Sequence, residues 1–406
     1  MSGHHVVEIH DEEEARVLLK DIGVDPGAYL YLLPKAFFRF IKLKDISARA
    51  ALIIKQEMLS KGGEAAISRS ALSAEGTSDV LLMGNLKHYR LLIEKLKVQP
   101  FGLKPLAVEI EAMLGSVVPK RRAISLPGYR SLELGGRPLV MGILNVTPDS
   151  FSDGGKFSDQ GLAVEHALEM AAQGADIIDI GGASSRPGAQ IVDETEELSR
   201  VLPVVERLAG LDLILSIDTF RGSVAEACLE AGVHIVNDIG RLQLDPGLLP
   251  VVVKHRAMII LMHNRMQMLS DEPYKDLISD IIDELHQSIV QAEDAGVAPE
   301  RIVIDPGIGF GKTAAQSRYI IRHLSEFHSL GYPILLGASR KSFIGKTLNL
   351  QVDDRLEASL AVTTMAVMNG ADIIRVHDVK ENRRVIDMTW AIMQEKGHDE
   401  PARAVQ

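Results

Sequence analysis

From Leu139 to Met393 the chain alternates short apolar runs with longer amphipathic stretches. The apolar runs are Leu139–Leu144, Asp176–Ile180, Leu213–Ile217 and His234–Val236, then Ala257–Met262, Arg301–Ile304, Pro333–Leu336 and Asp372–Val376. Most are followed by a helical pattern. Strand-then-helix repetition calls for a parallel sheet, because parallel neighbours need a crossover between them. Eight such units in roughly 250 residues have the size of a closed barrel. Periodicity does not register closure, so an open doubly wound sheet stands as the alternative. The expected fold class is α/β, a (β/α)8 TIM barrel over residues 135–396.

The chain before about Val118 is patterned differently. Asp11–Ile22 and Ser47–Lys61 read as amphipathic helices, with Ser47 as an N-cap and Gly62-Gly63 as a stop. Phe37–Leu43, Ala65–Ser70 and Val80–Met83 read as strands, and His88–Leu96 and Pro105–Leu114 as further helices. A small mixed α/β domain over residues 1–118 is expected. A basic, turn-rich linker follows at 119–134, in which Lys120-Arg121-Arg122 reads as a solvated run. No internal repeat or low-complexity tract is evident.

Composition narrows the function classes. A chain of 406 residues exceeds one ordinary domain and suits a large barrel plus a smaller unit. Hydrophobic residues at 46% and charged residues at 24% have the balance of a globular protein. The net charge of -11 argues against nucleic-acid or anionic-membrane partners, which need clustered Lys and Arg. A local pocket can still be basic in an acidic protein, so a small anionic ligand stays open. Cys228 stands alone, so no intrachain disulfide forms and a reducing compartment is the natural reading. It falls in an apparent helix, Val224–Ala231, as a small buried hydrophobe rather than a nucleophile. The acidic N-terminus has no apolar h-region, so no signal peptide is expected. The longest apolar runs, such as Pro250–Val253 and Ala257–Met262, fall far short of a membrane span. A cytoplasmic protein is expected.

The polar residues of interest gather at the C-terminal ends of the apolar runs, the face that carries the active site in a barrel. After the first run, Asn145-Val-Thr-Pro-Asp-Ser-Phe-Ser-Asp-Gly-Gly155 reads as a mobile loop whose oxygens suit hydrated Mg²⁺. A turn without chemistry is the plainer alternative. After the second, Gly181-Gly-Ala-Ser-Ser-Arg-Pro-Gly188 joins glycines that permit close backbone approach to the planar donors of Arg186. It suits an anion or an aromatic ligand, or is an ordinary βα loop.

The third, fourth and sixth runs end in Asp218, Asn237 and Asp305. Converging Asp and Asn groups suit a planar heterocycle rich in N–H donors, such as an aminopyrimidinone, because a buried carboxylate needs donors. Helix N-capping is the alternative, and is accepted for Asp238. Gly307-Ile-Gly-Phe-Gly-Lys-Thr313 looks like a nucleotide phosphate loop, but that motif needs glycine at 306, where the chain has Pro306. Phe310 then becomes a wall or lid of the pocket, and Lys312 is open between exposed and functional. The last two runs lead into Gly337-Ala-Ser-Arg-Lys-Ser342 and Arg375-Val-His-Asp378. Lys341, Arg375 and His377 can neutralise a diphosphate, Arg375 can stack on a ring, and Ser342 offers a donor to a carboxylate. A chance basic pair at a helix start is the bland alternative.

Together, Met141–Gly155, Gly181–Gly188, Ser216–Thr219, Asn237–Asp238, Asp305–Lys312, Ser339–Ser342 and Arg375–Asp378 closely resemble the dihydropteroate synthase family. They follow the family's order through nearly the whole barrel. The family condenses a 6-hydroxymethyl-dihydropterin diphosphate with 4-aminobenzoate and releases pyrophosphate. The resemblance implies that Asp218, Asn237, Asp305 and Lys341 hold the pterin, with Met262 and Arg186 also in the substrate-binding set. It implies that Asn145, Arg375 and His377 hold the diphosphate with Mg²⁺, Asn145 being the metal ligand. Ser185, Pro187, Lys341 and Ser342 would border the arylamine, enclosed by Phe151 and Phe310. Lys341, Arg375, His377 and Asp218 form the implied catalytic set. A homodimer with small-molecule substrates, and no nucleic-acid or membrane partner, is expected.

Two departures stand out. The second-strand motif usually carries Glu-Ser-Thr before Arg-Pro-Gly, where this chain has Ala183-Ser184-Ser185. The N-terminal domain is also extra to the minimal enzyme. A pterin-dependent corrinoid methyltransferase is the rival enzyme, sharing Asp218, Asn237 and Asp305 but with no need of the Asn145–Gly155 loop or the two basic motifs. A non-catalytic pterin-binding protein is the rival of a different class.

Overall fold

The computed structural model describes residues 3–117, 121–146, 156–182, 192–266 and 273–395. Contacts divide the chain into two units, one ending at Gly115 and one spanning Ser116–Glu395.

The first unit is built on a three-stranded antiparallel sheet, flanked by helices that the sequence starts and stops locally. α1 (Glu12–Asp21) begins at Asp11, whose carboxylate accepts the Glu14 N–H at 2.8 Å. α2 (Tyr29–Ala36) leads to β1 (Phe38–Ser47), and the Ser47 hydroxyl then caps α3 (Ala48–Ser60). β2 (Glu64–Ile67) and β3 (Thr77–Asn85) complete a sheet of order β1-β3-β2. α4 (Leu86–Leu96) opens with a capping box between Asn85 and His88, and α5 (Leu103–Ser116) follows. Val80 and Leu82 alternate inward from β3 onto Ile54, Met58, Leu92 and Leu96. The sequence pattern does not show α2, because Pro34 interrupts it. Burial of Leu33 and Phe37 with Ala15 holds that short helix in place.

In the second unit a hairpin, β4 (Arg122–Leu126) and β5 (Arg130–Leu134), precedes the barrel. The barrel strands are β6 (Leu139–Asn145), β7 (Ile177–Gly181), β8 (Leu215–Asp218), β9 (Ile235–Asp238), β10 (Met258–Met262), β11 (Ile302–Asp305), β12 (Leu335–Gly337) and β13 (Ile373–Val376). Between them lie α6 (Lys156–Ala172), α7 (Glu194–Ala209), α8 (Gly222–Glu230), α9 (Leu248–His255), α10 (Leu277–Asp294), α11 (Ala314–Arg322), α12 (Ser342–Leu348) and α13 (Leu356–Met368); α14 (Val379–Gln394) closes the series. Among the described residues the parallel sheet runs β11-β10-β9-β8-β7-β6-β13-β12. A parallel bridge between Ile304 and Ile334 joins its two edges, so the sheet closes and the open doubly wound alternative falls away. All eight predicted apolar runs coincide with barrel strands.

The stretch expected as a linker differs. Arg122–Leu134 pairs as a hairpin, and Ile124, Leu126, Leu132 and Leu134 pack on Met141, Ile177, Ile235 and Met258 at the barrel floor. Arg121 is exposed, as expected of the run, whereas Arg122 is half-buried and its guanidinium donates to the Gly331 carbonyl at 2.7 Å. Lys120 lies outside the described residues. Two five-residue strands carry too few alternating positions to stand out among the charges beside them.

Candidate active site

Inward-facing positions recur every second residue along a strand, so each strand serves two layers of the barrel interior. Ile177, Ile235, Val303 and Ile373 form part of the floor cluster. Two residues further on, the same strands present Asp179, Asn237, Asp305 and Arg375 at the mouth.

Arg375 organises this layer. Its Nε donates to Asp179 Oδ2 at 2.6 Å and its Nη2 to Asp218 Oδ2 at 2.6 Å. Burial works against its charge, but Asp179 and Asp218 more than offset that and hold its pKa above the ordinary value. Asn237 Nδ2 also donates to Asp179 Oδ2, at 3.0 Å. Burial pushes Asp218 up from the usual carboxylate range, with Arg375 pulling the other way. Burial likewise raises Asp305, whose Oδ1 accepts the Gly307 N–H at 2.7 Å. Asp238, expected to cap a helix, ends β9 and instead organises the turn after it. Its carboxylate accepts the Gly240 N–H at 2.7 Å and the Leu242 N–H at 2.6 Å, while the next helix begins only at Leu248.

Lys341 stands immediately before α12. Its ammonium donates to the Ile308 carbonyl at 2.7 Å and lies 4.6 Å from the centre of the buried Phe310 ring. Burial lowers its pKa to about 8, Asp305 opposing. His377 Nδ1 lies 3.1 Å from the Ser339 hydroxyl, which also accepts the His377 N–H at 3.3 Å. Arg340 pairs with Asp378 and so ties the Ser-Arg-Lys-Ser loop to the Arg-Val-His-Asp strand end. Asn145 ends β6, half-buried, and Met262 ends β10, buried. Ser342, expected near a carboxylate, is exposed. Ser185, Arg186 and Pro187, together with Phe151 and Ala183, lie outside the described residues.

Asp218, Asn237, Asp305, Phe310, Lys341 and Arg375 therefore share one mouth. Asp179 belongs there too, and the sequence reading missed it. A fully buried carboxylate inside the run Ile177-Ile178-Asp179-Ile180 is the signal that would have found it, since an unpaired buried charge is too costly to be incidental. Among the described residues its second oxygen, Oδ1, is buried without a hydrogen-bond partner. The arrangement can bind a flat, donor-rich ring against carboxylates while cations face an anionic group.

Comparison with known proteins points the same way. The family model described as pterin binding enzyme matches residues 141–377. The chain is 48% identical over 269 residues to the dihydropteroate synthase of Clostridium beijerinckii, covering 66% of this chain and 98% of that protein. It is 40% identical over 373 residues to a probable bifunctional folylpolyglutamate synthase/dihydropteroate synthase of Halobacterium salinarum, covering 91% of this chain and 45% of that protein. That alignment is longer than the second unit and so takes in much of the first. Among solved structures, the dihydropteroate synthase of Clostridium difficile in the presence of pteroic acid superimposes with a TM-score of 0.62 at 48% identity, covering 64% of this chain and 99% of that one. That of Xanthomonas albilineans with 4-aminobenzoic acid gives 0.64 at 41% identity, covering 68% and 100%.

Proposed function

The chain belongs to the family of pterin binding enzymes and is a dihydropteroate synthase, and we propose that its barrel mouth works by placing charge around the two substrates, without a covalent enzyme intermediate. The observation that carries this reading is the buried row Asp179–Arg375–Asp218, sharing one mouth with Asn237, Asp305 and Lys341. The substrates are (7,8-dihydropterin-6-yl)methyl diphosphate and 4-aminobenzoate, and the products 7,8-dihydropteroate and pyrophosphate.

Asp305, Asp218 and Asn237 accept and donate hydrogen bonds along the pterin edge, and Asp179 Oδ1 is the further acceptor. Lys341, held by Ile308 and Phe310, covers the ring. The C–O bond to the diphosphate breaks and its electron pair leaves with pyrophosphate. The remaining N–H groups of Arg375 and the ring of His377 stabilise that developing charge. The methylene carbon, conjugated to the pterin, accepts the lone pair of the arylamine nitrogen, which then releases one proton to solvent. No protein nucleophile is required. Cys228 is fully buried in α8 with its thiol pushed up to about 12 by burial, which suits a packing role.

Mg²⁺ fits this mouth as an ion carried largely by the diphosphate. Asn145 offers a single neutral oxygen, and Mg²⁺ commonly takes few protein ligands beside substrate phosphates and water. When bound it would neutralise charge on the leaving group. The described carboxylate–imidazole group with metal-like spacing, Glu226, Glu230 and His255, lies on α8 and α9, where Lys254 already pairs with both glutamates.

We also propose a homodimer through α13 and α14, whose outer faces expose Met365, Met368, Met388 and Ile392. Met388→Asp should shift the full chain to monomer in a sedimentation experiment; an unchanged dimer would place the interface elsewhere. A cytoplasmic setting fits the lone cysteine. The function itself is tested by pyrophosphate release, which should require both 4-aminobenzoate and Mg²⁺. Protein that binds the pterin diphosphate yet forms no dihydropteroate would overturn the catalytic reading.

A further inference from the structure

Behind the mouth lies a polar cluster that the reaction as described does not use. Its centre is Lys312, whose ammonium has three N–H groups and meets three acceptors. These are His263 Nδ1 at 2.9 Å, the Phe310 carbonyl at 3.0 Å and the His263 carbonyl at 3.3 Å. A lysine donating to Nδ1 leaves the His263 proton on Nε2, which lies 3.2 Å from Glu284 Oε2. His263 is fully buried and stays neutral, since burial first and Lys312 second push its ring down to about 3. Glu284 is itself held by Arg241 and Arg265. Burial lowers Lys312 to about 7, with Asp305 and Glu284 favouring its charge and Lys341 and Arg265 opposing it.

The segment that Lys312 fastens lies directly on the end of β10. Gly307 and Gly311 both have positive φ, and a Cβ on them would fall 1.9 Å from the His263 carbonyl oxygen and 2.2 Å from that of Arg265. The same segment supplies the two groups that hold Lys341: the Ile308 carbonyl and the Phe310 ring. We propose that Lys312 is a positioning residue for pterin binding, pinning residues 307–310 to the His263 end of β10 and so setting where Lys341 stands. The assignment rests on the pterin-binding reading of the mouth.

Acting through Lys341 predicts non-additivity, which a general stabilising role does not. Binding of the pterin diphosphate to the full chain is measured by titration calorimetry at pH 6.5, beside each variant's melting temperature. Lys312→Met should weaken binding about tenfold, or about 1.4 kcal/mol, while the same change in a Lys341→Gln background should cost less than twofold. Lys312→Arg, which keeps charged donors, should recover most of the loss and guards against a Lys312→Met protein that folds poorly. Equal tenfold losses in both backgrounds, wild-type affinity in Lys312→Met, or Lys312→Arg no better than Met would each overturn the proposal. A wild-type chain that does not bind the pterin diphosphate would instead defeat the functional reading itself.

Discussion

The two ends of the barrel are made by the same strands and do opposite work. At the floor, Ile177, Ile235, Val303 and Ile373 meet the hairpin residues Ile124, Leu126, Leu132 and Leu134 in an apolar cluster. At the mouth, two residues along, Asp179, Asn237, Asp305 and Arg375 bury charge and amide groups instead. Apolar burial stabilises at roughly 25 cal/mol per Å² and asks for no partner geometry. Buried charge is costly unless each group is paired, and removing one partner leaves the rest exposed to that cost. The floor should therefore govern stability and the mouth should govern reaction. The mouth can bury paired charge because the hairpin seals the far end of the barrel in an apolar cluster.

The largest expected effect breaks the mouth. Lys341→Ala and Arg375→Ala should each lower kcat/KM at least hundredfold, about 2.7 kcal/mol or more of transition-state stabilisation. Steady-state rates near those of the wild type in either variant would remove the residue from the site. Next comes the floor. Leu132→Ala should cost about 2–3 kcal/mol of unfolding free energy by the loss of packed methyl groups, read from urea denaturation, with kcat of the folded enzyme within twofold. A tenfold fall in kcat with unchanged stability would erase the distinction between the ends.

The smallest effect concerns the charge on Lys341. Its pKa is lowered to about 8, so the cation is present below that value and lost as pH rises through it. The rate constant kcat/KM should decline above about pH 8, and Lys341→Arg should carry that limb to higher pH because a guanidinium stays charged. An alkaline limb that does not move in Lys341→Arg would assign the titration to another group.

Much of the fold was legible residue by residue. The eight strands stood out because buried parallel strands are continuous apolar runs. Asp218, Asn237 and Asp305 stood out because each closes such a run. Asp179 did not, sitting one place inside its run with Ile180 after it. The hairpin did not, because its alternation covers only five residues in each strand. Lys312 was left undecided, since nothing local shows that Phe310, His263 and Glu284 converge on it.

The sequence by itself determined the strand–helix rhythm, the acidic balance and the residue types at the strand ends, all of which are local properties of a few consecutive positions. Only the tertiary structure decided that Arg375 reaches Asp179 across 196 residues of chain and Asp218 across 157. Pairing of buried charges is a matter of distance and desolvation, and both exist only once the sheet has closed on itself.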